Sequence, residues 1–212
     1  MSEPLRLIVA DDHPIVREGL VALLRRRGGM EVVEECADGA GAVEAIARCA
    51  PDVAIVDIKM PGLDGFGVLA EVMRLGLDTR LVLLTAFVTD EQALVAVEQG
   101  AHGIFLKDQE GDELIACTRA VARGERWIHP EIQAAADRAL ATRRAGEDLA
   151  ALLTPREMEV VNLVETGIGN KEVAHQLKLS EGTVKVHLHN IYQKLGLGSR
   201  ADLARLVSGK KP

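Results

Sequence analysis

Five short apolar runs alternate with longer segments of helical periodicity in the first 123 residues, and this alternation restricts the fold more than any other feature. The runs cover residues 5–10, 31–36, 53–56, 81–84 and 104–106, and the helical segments cover about 14–27, 39–49, 64–75, 90–99 and 110–123. The third and fourth runs, VAIV and LVLL, are apolar throughout, which is typical of central parallel strands. The pattern predicts an α/β doubly wound, five-stranded parallel sheet in the order 2-1-3-4-5, with helices on both faces.

The remainder of the chain has helical patterns and no strand pattern. Thr154, Pro155 and Glu157 occupy the N-cap, N1 and N3 positions of a capping box. Helices are predicted at about 155–166, 170–177, 181–195 and 199–208. These features predict a small all-α, four-helix domain at 148–212, joined to a first domain at 1–123 by a partly helical linker at 124–147.

Composition limits the classes of partner and the cellular compartment. The net charge is −7, which argues against bulk nucleic-acid binding, but residues 148–212 carry nine basic and seven acidic side chains and permit contact with a polyanion. The three cysteines are odd in number and far apart, so we expect buried thiols in a reducing compartment. There is no apolar run of membrane-spanning length, and acids follow the first apolar run where a signal peptide would continue. We therefore expect a cytoplasmic protein without membrane contact.

Three carboxylates are predicted to converge at one edge of the sheet. Asp11 and Asp12 follow the first strand and Asp57 ends the third, and the ends of these strands meet where the strand order reverses. Capping of a helix at Pro14 by Asp12 explains one of these acids and leaves the others without a role. Because neighbouring anions raise the cost of ionising one another, a cation is expected there, and Mg²⁺ favours such oxygen ligands.

A hydroxyl and an ammonium group arrive at the same edge. Thr85 ends the fourth strand and Lys107 ends the fifth. Each residue has an ordinary structural role when taken alone, but the set at successive strand ends is typical of a phosphoryl-transfer site. A carboxylate can accept the phosphoryl group, and the metal, ammonium and hydroxyl can stabilise its oxygens.

The segment 180–196 contains an amphipathic helix with an unusual outer face. An apolar stripe comprises Val184, Leu188, Ile191 and Leu195, and the other side carries Lys185, Val186 and His189. An outward valine can contact a thymine methyl in the major groove or a protein partner, and periodicity alone leaves both interpretations open.

Residues 5–123 resemble the receiver domain of a two-component response regulator, and residues 148–208 resemble the LuxR-type helix-turn-helix domain. The resemblance is carried by Asp11-Asp12, the segment DIKMPGLDG with Asp57, Thr85-Ala86, Lys107, and the segment from LTPREMEVV to IYQKLG. Together the two halves resemble a NarL/FixJ-type regulator.

The resemblance implies a role for each part of the chain. A histidine kinase would phosphorylate Asp57, beside a Mg²⁺ ion held by Asp11, Asp12, Asp57 and the backbone carbonyl of Lys59. Thr85 would contact the phosphoryl group and Lys107 would pair with it. The resemblance implies no enzymatic activity beyond this transfer. Double-stranded DNA would be bound by a homodimer that pairs through residues 200–207, with contacts from Lys171, Thr183, Lys185, Val186 and His189.

The sequence departs from the family pattern at three positions. Ile104 stands where many receivers have an aromatic residue that swings inward with the threonine, Asp108 stands where many have proline, and Gly169 replaces a common serine. A phosphate-independent adaptor remains a rival hypothesis because of Ile104, although the complete acidic set argues against it. A phosphatase of the haloacid-dehalogenase type is disfavoured because Lys59 stands where that class needs a second aspartate.

Overall fold

The first part of the chain is a parallel sheet covered by helices. The computed structural model describes residues 3–207, leaving aside the side chains of residues 145 and 146. The strands are β1 (Arg6–Ala10), β2 (Glu31–Cys36), β3 (Val53–Asp57), β4 (Arg80–Thr85), β5 (Gly103–Leu106) and β6 (Trp127–Ile128). The sheet order is β2-β1-β3-β4-β5-β6 and every neighbouring pair is parallel. The predicted fold class and order are therefore confirmed.

The predicted number of strands is wrong, because the sheet has six strands and not five. The sixth strand contains two residues, which pair with β5 through Gly103↔Trp127 and Ile104↔Ile128. Two residues are too few to produce an alternating pattern in the sequence. This strand lies inside the predicted linker at 124–147.

Five helices connect or follow these strands. They are α1 (Pro14–Arg26), α2 (Gly39–Cys49), α3 (Gly65–Arg74), α4 (Asp90–Glu98) and α5 (Gly111–Ala122). The N-cap position of α1 is occupied by His13, without a side-chain capping bond, and Pro14 is in the first turn. The capping role considered for Asp12 is therefore wrong, because the chain turns into the helix one residue later.

The remaining helices are α6 (Pro130–Leu152), α7 (Pro155–Glu165), α8 (Asn170–Gln176), α9 (Glu181–Leu195) and α10 (Arg200–Val207). The chain divides into two compact units, Met1–Ala139 and Leu140–Pro212, so α6 contributes to both. Helices α7 to α10 share a core of valine, leucine and isoleucine side chains, which also includes Leu149 of α6. The four helices of the predicted C-terminal domain are all present.

The central strands of the sheet are buried, as their continuous apolar sequence predicts. Every residue of β3 is buried, as are all but the first residues of β1 and β4. Cys36 and Cys117 are buried as well, and this burial raises the pKa of their thiols to about 11 and about 12. Both thiols are therefore protonated and unreactive near neutral pH. In the stretch 3–207 no helix is both long and apolar enough to pass through a bilayer.

The capping box of α7 extends into an ion pair between a buried carboxylate and a partly exposed lysine. Glu157 is 4% exposed, and its carboxylate accepts hydrogen bonds from the ammonium of Lys194 (2.6 Å) and from the amide (2.8 Å) and hydroxyl (2.9 Å) of Thr154. The hydrogen bond from Lys194, followed by that from the Thr154 amide, lowers the pKa of Glu157 to about 2 from an ordinary value of 4.5. This carboxylate therefore links the start of α7 to the end of α9.

We expect Glu157→Gln to lower the free energy of unfolding of the helical unit by about 1–3 kcal/mol at pH 7, because hydrogen bonds to a charged group are lost. Since the folded pKa is depressed, the contribution of Glu157 is complete above pH 4.5 and is lost as the pH falls towards 2. Denaturant unfolding between pH 7 and pH 3 measures both effects. Glu159→Gln is the control, because Glu159 pairs with Arg156 at an exposed site. Equal stability of the two variants at pH 7 would contradict this role.

Candidate functional site

The carboxyl ends of four parallel strands bring four predicted site residues to one edge of the sheet. Asp11 follows β1, Asp57 is the last residue of β3, and the pairing of Ala10 with Val56 sets the two acids level. Thr85 is the last residue of β4, and its carbonyl accepts a hydrogen bond of 2.8 Å from the Lys107 amide, which follows β5. Strand register thus assembles the site from residues that are far apart in sequence.

Lys107 bridges two buried carboxylates. Its Nζ atom lies 2.8 Å from Asp11 Oδ2 and 2.9 Å from Asp57 Oδ2, and the Asp11 and Asp57 side chains are 0% and 5% exposed. Burial lowers the pKa of the ammonium, but the hydrogen bonds and charges of Asp11 and Asp57 outweigh burial and keep the pKa above its ordinary value. The site therefore holds a permanent positive charge between its two most buried acids.

The donor set at this edge fits a divalent cation. One ligand atom from each of Asp11, Asp12, His13 and Asp57 lies within 4.8 Å of those from the other three. Asp12 Oδ1 is buried without a well-directed hydrogen bond, although His13 Nδ1 lies 2.7 Å from it. A buried acceptor without a well-directed hydrogen bond is unsatisfied, and a bound cation would satisfy it. The side chain of Lys59, two residues after Asp57, is exposed.

Two further groups hold Asp11 in place, and sequence reasoning missed both. The backbone amide of His13 donates to Asp11 Oδ1 (2.8 Å), and the guanidinium of Arg17 donates to the Asp11 carbonyl (2.6 Å). His13 was detectable as a neighbour of the acid pair. Arg17 becomes detectable only when the first turn of α1 is placed beside the end of β1.

Thr85 is 2% exposed, and its hydroxyl is bound to the loop that follows β4. Its Oγ1 atom donates to the Phe87 carbonyl (2.5 Å) and accepts from the Phe87 amide (3.2 Å). Both backbone groups of Phe87 are therefore bound to this one hydroxyl, and the bond to the carbonyl depends on the direction of its proton. The sequence contained no signal for this connection, which is a matter of side-chain rotamer.

The second unit presents the predicted recognition face on α9. Val184, Leu188 and Ile191 are buried in the helical core, and Leu195 packs against them while partly exposed. On the other side Lys185 and His189 are exposed, and 58% of the Val186 surface is accessible. The predicted division of this helix into an inner stripe and an outer face is confirmed.

The two remaining predicted DNA contacts lie at the starts of helices. Lys171 is exposed in the first turn of α8. Thr183 is exposed in the first turn of α9, where its amide donates to the N-cap hydroxyl of Ser180 (3.0 Å). Arg200 of α10 donates to the Asn170 side chain (2.8 Å) and to the Ile168 carbonyl, which attaches the last helix to the start of α8. All five predicted contact residues are therefore accessible, and Arg200 is a supporting contact that sequence reasoning missed.

Two family models match the chain, one for each unit. The model of the response regulator receiver domain matches residues 7–119, and that of the bacterial regulatory proteins of the luxR family matches residues 151–207. The chain belongs to the NarL-type two-component response regulators. It is therefore a DNA-binding transcription regulator, and the hypothesis of a haloacid-dehalogenase-type phosphatase is dropped.

Relatives of known class match this response regulator over nearly its whole length. It is 39% identical to a probable transcriptional regulatory protein NarL of Mycobacterium tuberculosis, over 94% of this chain and 91% of the relative. It is 34% identical to the nitrate/nitrite response regulator protein NarP of Escherichia coli, over 94% and 92%. Among solved structures, the response regulator ChrA of a heme-sensing two-component system has 34% sequence identity to this chain. The match covers 98% of this chain and 98% of the ChrA chain, with a TM-score of 0.56.

Proposed function

We propose that Asp57 is the phosphoryl acceptor of this response regulator and that a histidine kinase is the donor. The observation that carries the proposal is the bridge of Lys107 between Asp57 and Asp11, at 2.9 and 2.8 Å, with Thr85 at the next strand end. A carboxylate oxygen of Asp57 forms the new bond to phosphorus as the phosphorus–nitrogen bond of phosphohistidine breaks. The electron pair of the broken bond leaves with the imidazole nitrogen.

The residues around Asp57 have complementary tasks in this step. The ammonium of Lys107 pairs with an oxygen of the incoming phosphoryl group, and the Thr85 hydroxyl donates a hydrogen bond to another. Lys107 then shares its charge between the phosphoryl group and Asp11, which leaves the acids undercompensated. Additional positive charge is needed at this edge for the transfer to proceed.

We infer that Mg²⁺ supplies that charge. Asp11, Asp12, Asp57 and the carbonyl of Lys59 would hold it, and the buried acceptor Asp12 Oδ1 supports this assignment. When bound, the ion neutralises the acids and polarises the phosphoryl oxygens. Asp11 is the most constrained of these ligands, since His13 and Arg17 hold it from two sides.

We further propose that α9 enters the major groove of double-stranded DNA. Lys185, Val186 and His189 face outward and reach base edges, and Lys171 and Thr183 contact the backbone. Two chains pair through α10, a role supported by the exposure of 43% of Leu206 on that helix. Phosphorylation would shift the equilibrium towards this dimer.

Selection of fragments from random DNA, with and without a small phosphodonor and Mg²⁺, tests this function. We expect enrichment of two related half-sites about one helical turn apart, and an affinity gain of about 5–150-fold on phosphorylation. Light scattering on the same samples should show conversion to dimers. A chain that is fully phosphorylated and neither dimerises nor gains affinity would favour the phosphate-independent adaptor.

A further inference from the structure

The position from which a switching aromatic is expected does not hold one in this chain. Ile104, three residues before Lys107, is 0% exposed inside β5. Phe105 packs on the opposite face of the sheet, in the core beneath α1 and α5. Neither residue can turn inward beside Thr85 without leaving a packed core. A conformational change that begins at Thr85 must therefore reach the rest of the protein by another route.

Phe87 offers that route, because its backbone is bound to the Thr85 hydroxyl. Thr85 Oγ1 donates to the Phe87 carbonyl at 2.5 Å and accepts from its amide at 3.2 Å. A hydroxyl that turns to donate to a phosphoryl oxygen on Asp57 cannot also donate to this carbonyl. Donation to the phosphoryl group therefore breaks the bond to the Phe87 carbonyl and loosens the attachment of Phe87 to Thr85.

The released side chain is apolar and exposed. The chain has three phenylalanines, and 67% of the Phe87 surface is accessible, whereas Phe66 is partly buried and Phe105 is 3% exposed. An exposed phenyl ring gains free energy by moving to any nearby apolar site that can accept it. The length of the loop limits the search to the surface next to the start of α4.

A groove with both apolar and charged lining residues lies at that place, formed by this loop and the first turns of α6. It has a volume of about 620 Å³, and its apolar lining residues include Phe87, Leu106, Ile132 and Ala135. Ile132 and Ala135 are three residues apart and form one buried face of α6, 2% and 5% exposed. The volume exceeds that of a phenyl ring several-fold, so the ring fits without displacing the helix.

An ion pair between two lining residues of the same groove links α6 to the start of α4. The Arg138 guanidinium donates two hydrogen bonds to the Asp90 carboxylate, at 2.8 and 2.7 Å. Asp90 is the first residue of α4 and follows the loop that carries Phe87. A displacement of this loop would therefore change the contacts of α6 both in the groove and at the ion pair.

We propose that Phe87 is the residue that transmits the state of Asp57 to α6. When the Thr85 hydroxyl turns to the phosphoryl group, the Phe87 carbonyl loses its hydrogen bond and the ring moves into the groove against Ile132 and Ala135. The far end of α6 contributes Leu149 to the core of the DNA-binding unit, so α6 has residues in both units. This inference rests on the proposed phosphorylation of Asp57.

Fluorine NMR on the full chain observes this movement directly. Incorporation of 4-fluorophenylalanine gives three resonances, and Phe87→Leu identifies the one from Phe87. On phosphorylation with a small phosphodonor and Mg²⁺, we expect the Phe87 resonance to shift and its solvent isotope shift between H₂O and D₂O to fall. The solvent isotope shifts of Phe66 and Phe105 should stay the same. A Phe87 ring that remains as solvent-exposed in the labelled protein as before would overturn the proposal.

DNA binding tests the transmission itself. We expect Phe87→Ala to be phosphorylated within about twofold of the wild-type extent, while its gain in DNA affinity falls from about 5–150-fold to less than about twofold. Val95→Ala is the matched control, because Val95 is an exposed apolar residue of α4 outside the groove lining. A full gain in Phe87→Ala would refute the role of Phe87 and leave the phosphorylation of Asp57 intact. Failure of the wild-type chain to label would overturn both proposals.

Discussion

Asp57→Asn is expected to abolish phosphoryl transfer to this chain. The amide has no anionic oxygen to attack phosphorus, and no other carboxylate at this edge of the sheet is the last residue of a strand beside Lys107 and Thr85 in the described range 3–207. Lys107 keeps its hydrogen bond to Asp11 in the variant, so the fold should be retained. Incubation with a small phosphodonor and Mg²⁺ followed by mass spectrometry measures the label, and hydroxylamine should remove it from the wild-type chain.

The control for this experiment is Asp78→Asn. Asp78 is an exposed carboxylate in the loop before β4, at the opposite edge of the sheet, and its replacement should leave labelling unchanged. Circular dichroism establishes that both variants are folded. If Asp57→Asn labels as strongly as the wild type, the acceptor is another residue and the assignment is wrong.

Phosphoryl transfer to Asp57 is also expected to require Mg²⁺. Chelation by EDTA should suppress labelling of the wild-type chain, and added Mg²⁺ should restore it. Asp11→Asn should require more Mg²⁺ for the same rate, because one of the buried anionic ligands is lost. If labelling is independent of Mg²⁺ in both the wild-type chain and Asp11→Asn, the assignment of Mg²⁺ to this site is wrong.

The strand-end residues could be predicted from the sequence because a parallel sheet converts order along the chain into position in space. Asp11, Asp57, Thr85 and Lys107 each follow or end an apolar run, and every such run ends at the same edge. The prediction needed only the strand assignments and the position at which the order reverses. Neither depends on side-chain rotamers or on packing between the layers.

The features that escaped prediction depend on rotamers and on short-range geometry. The bond from Thr85 to the Phe87 carbonyl requires one rotamer of a threonine that could have pointed elsewhere. The bridge of Lys107 to two acids depends on how a flexible side chain crosses the site. The strand Trp127–Ile128 is held by pairing to β5, and a segment of two residues has no intrinsic periodicity to detect.

The outer face of α9 is expected to divide into residues that read bases and residues that hold the backbone. Val186 is 58% exposed and has no polar atom in its side chain, so it can discriminate a thymine methyl but cannot hold a phosphate. Val186→Ala should therefore reduce affinity for the selected DNA and leave affinity for scrambled DNA and the salt dependence unchanged. Fluorescence anisotropy with both DNAs over a series of salt concentrations measures these quantities.

Lys185 is exposed on the flank of the same face, and we expect it to read a base. Its replacement by alanine should then cost about 1–3 kcal/mol on the selected DNA, or about 5–150-fold, and little on scrambled DNA. If Lys185 contacts only phosphate, its replacement would lower the affinity equally for both DNAs and reduce the salt slope by about one unit. The two outcomes differ in sequence dependence and in slope, so one experiment separates them.

The double variant Lys185→Ala/Val186→Ala should bring binding of the selected DNA close to the non-specific level, a loss of about 10²–10³-fold. Lys178→Ala provides a matched control, because Lys178 is exposed in the turn before α9 and carries the same charge as Lys185. Its removal should lower affinity only modestly and equally on both DNAs. If the double variant binds the selected DNA as well as the wild type, α9 does not enter the groove, and the exposed Val186 on its outer face is then better explained by a protein partner.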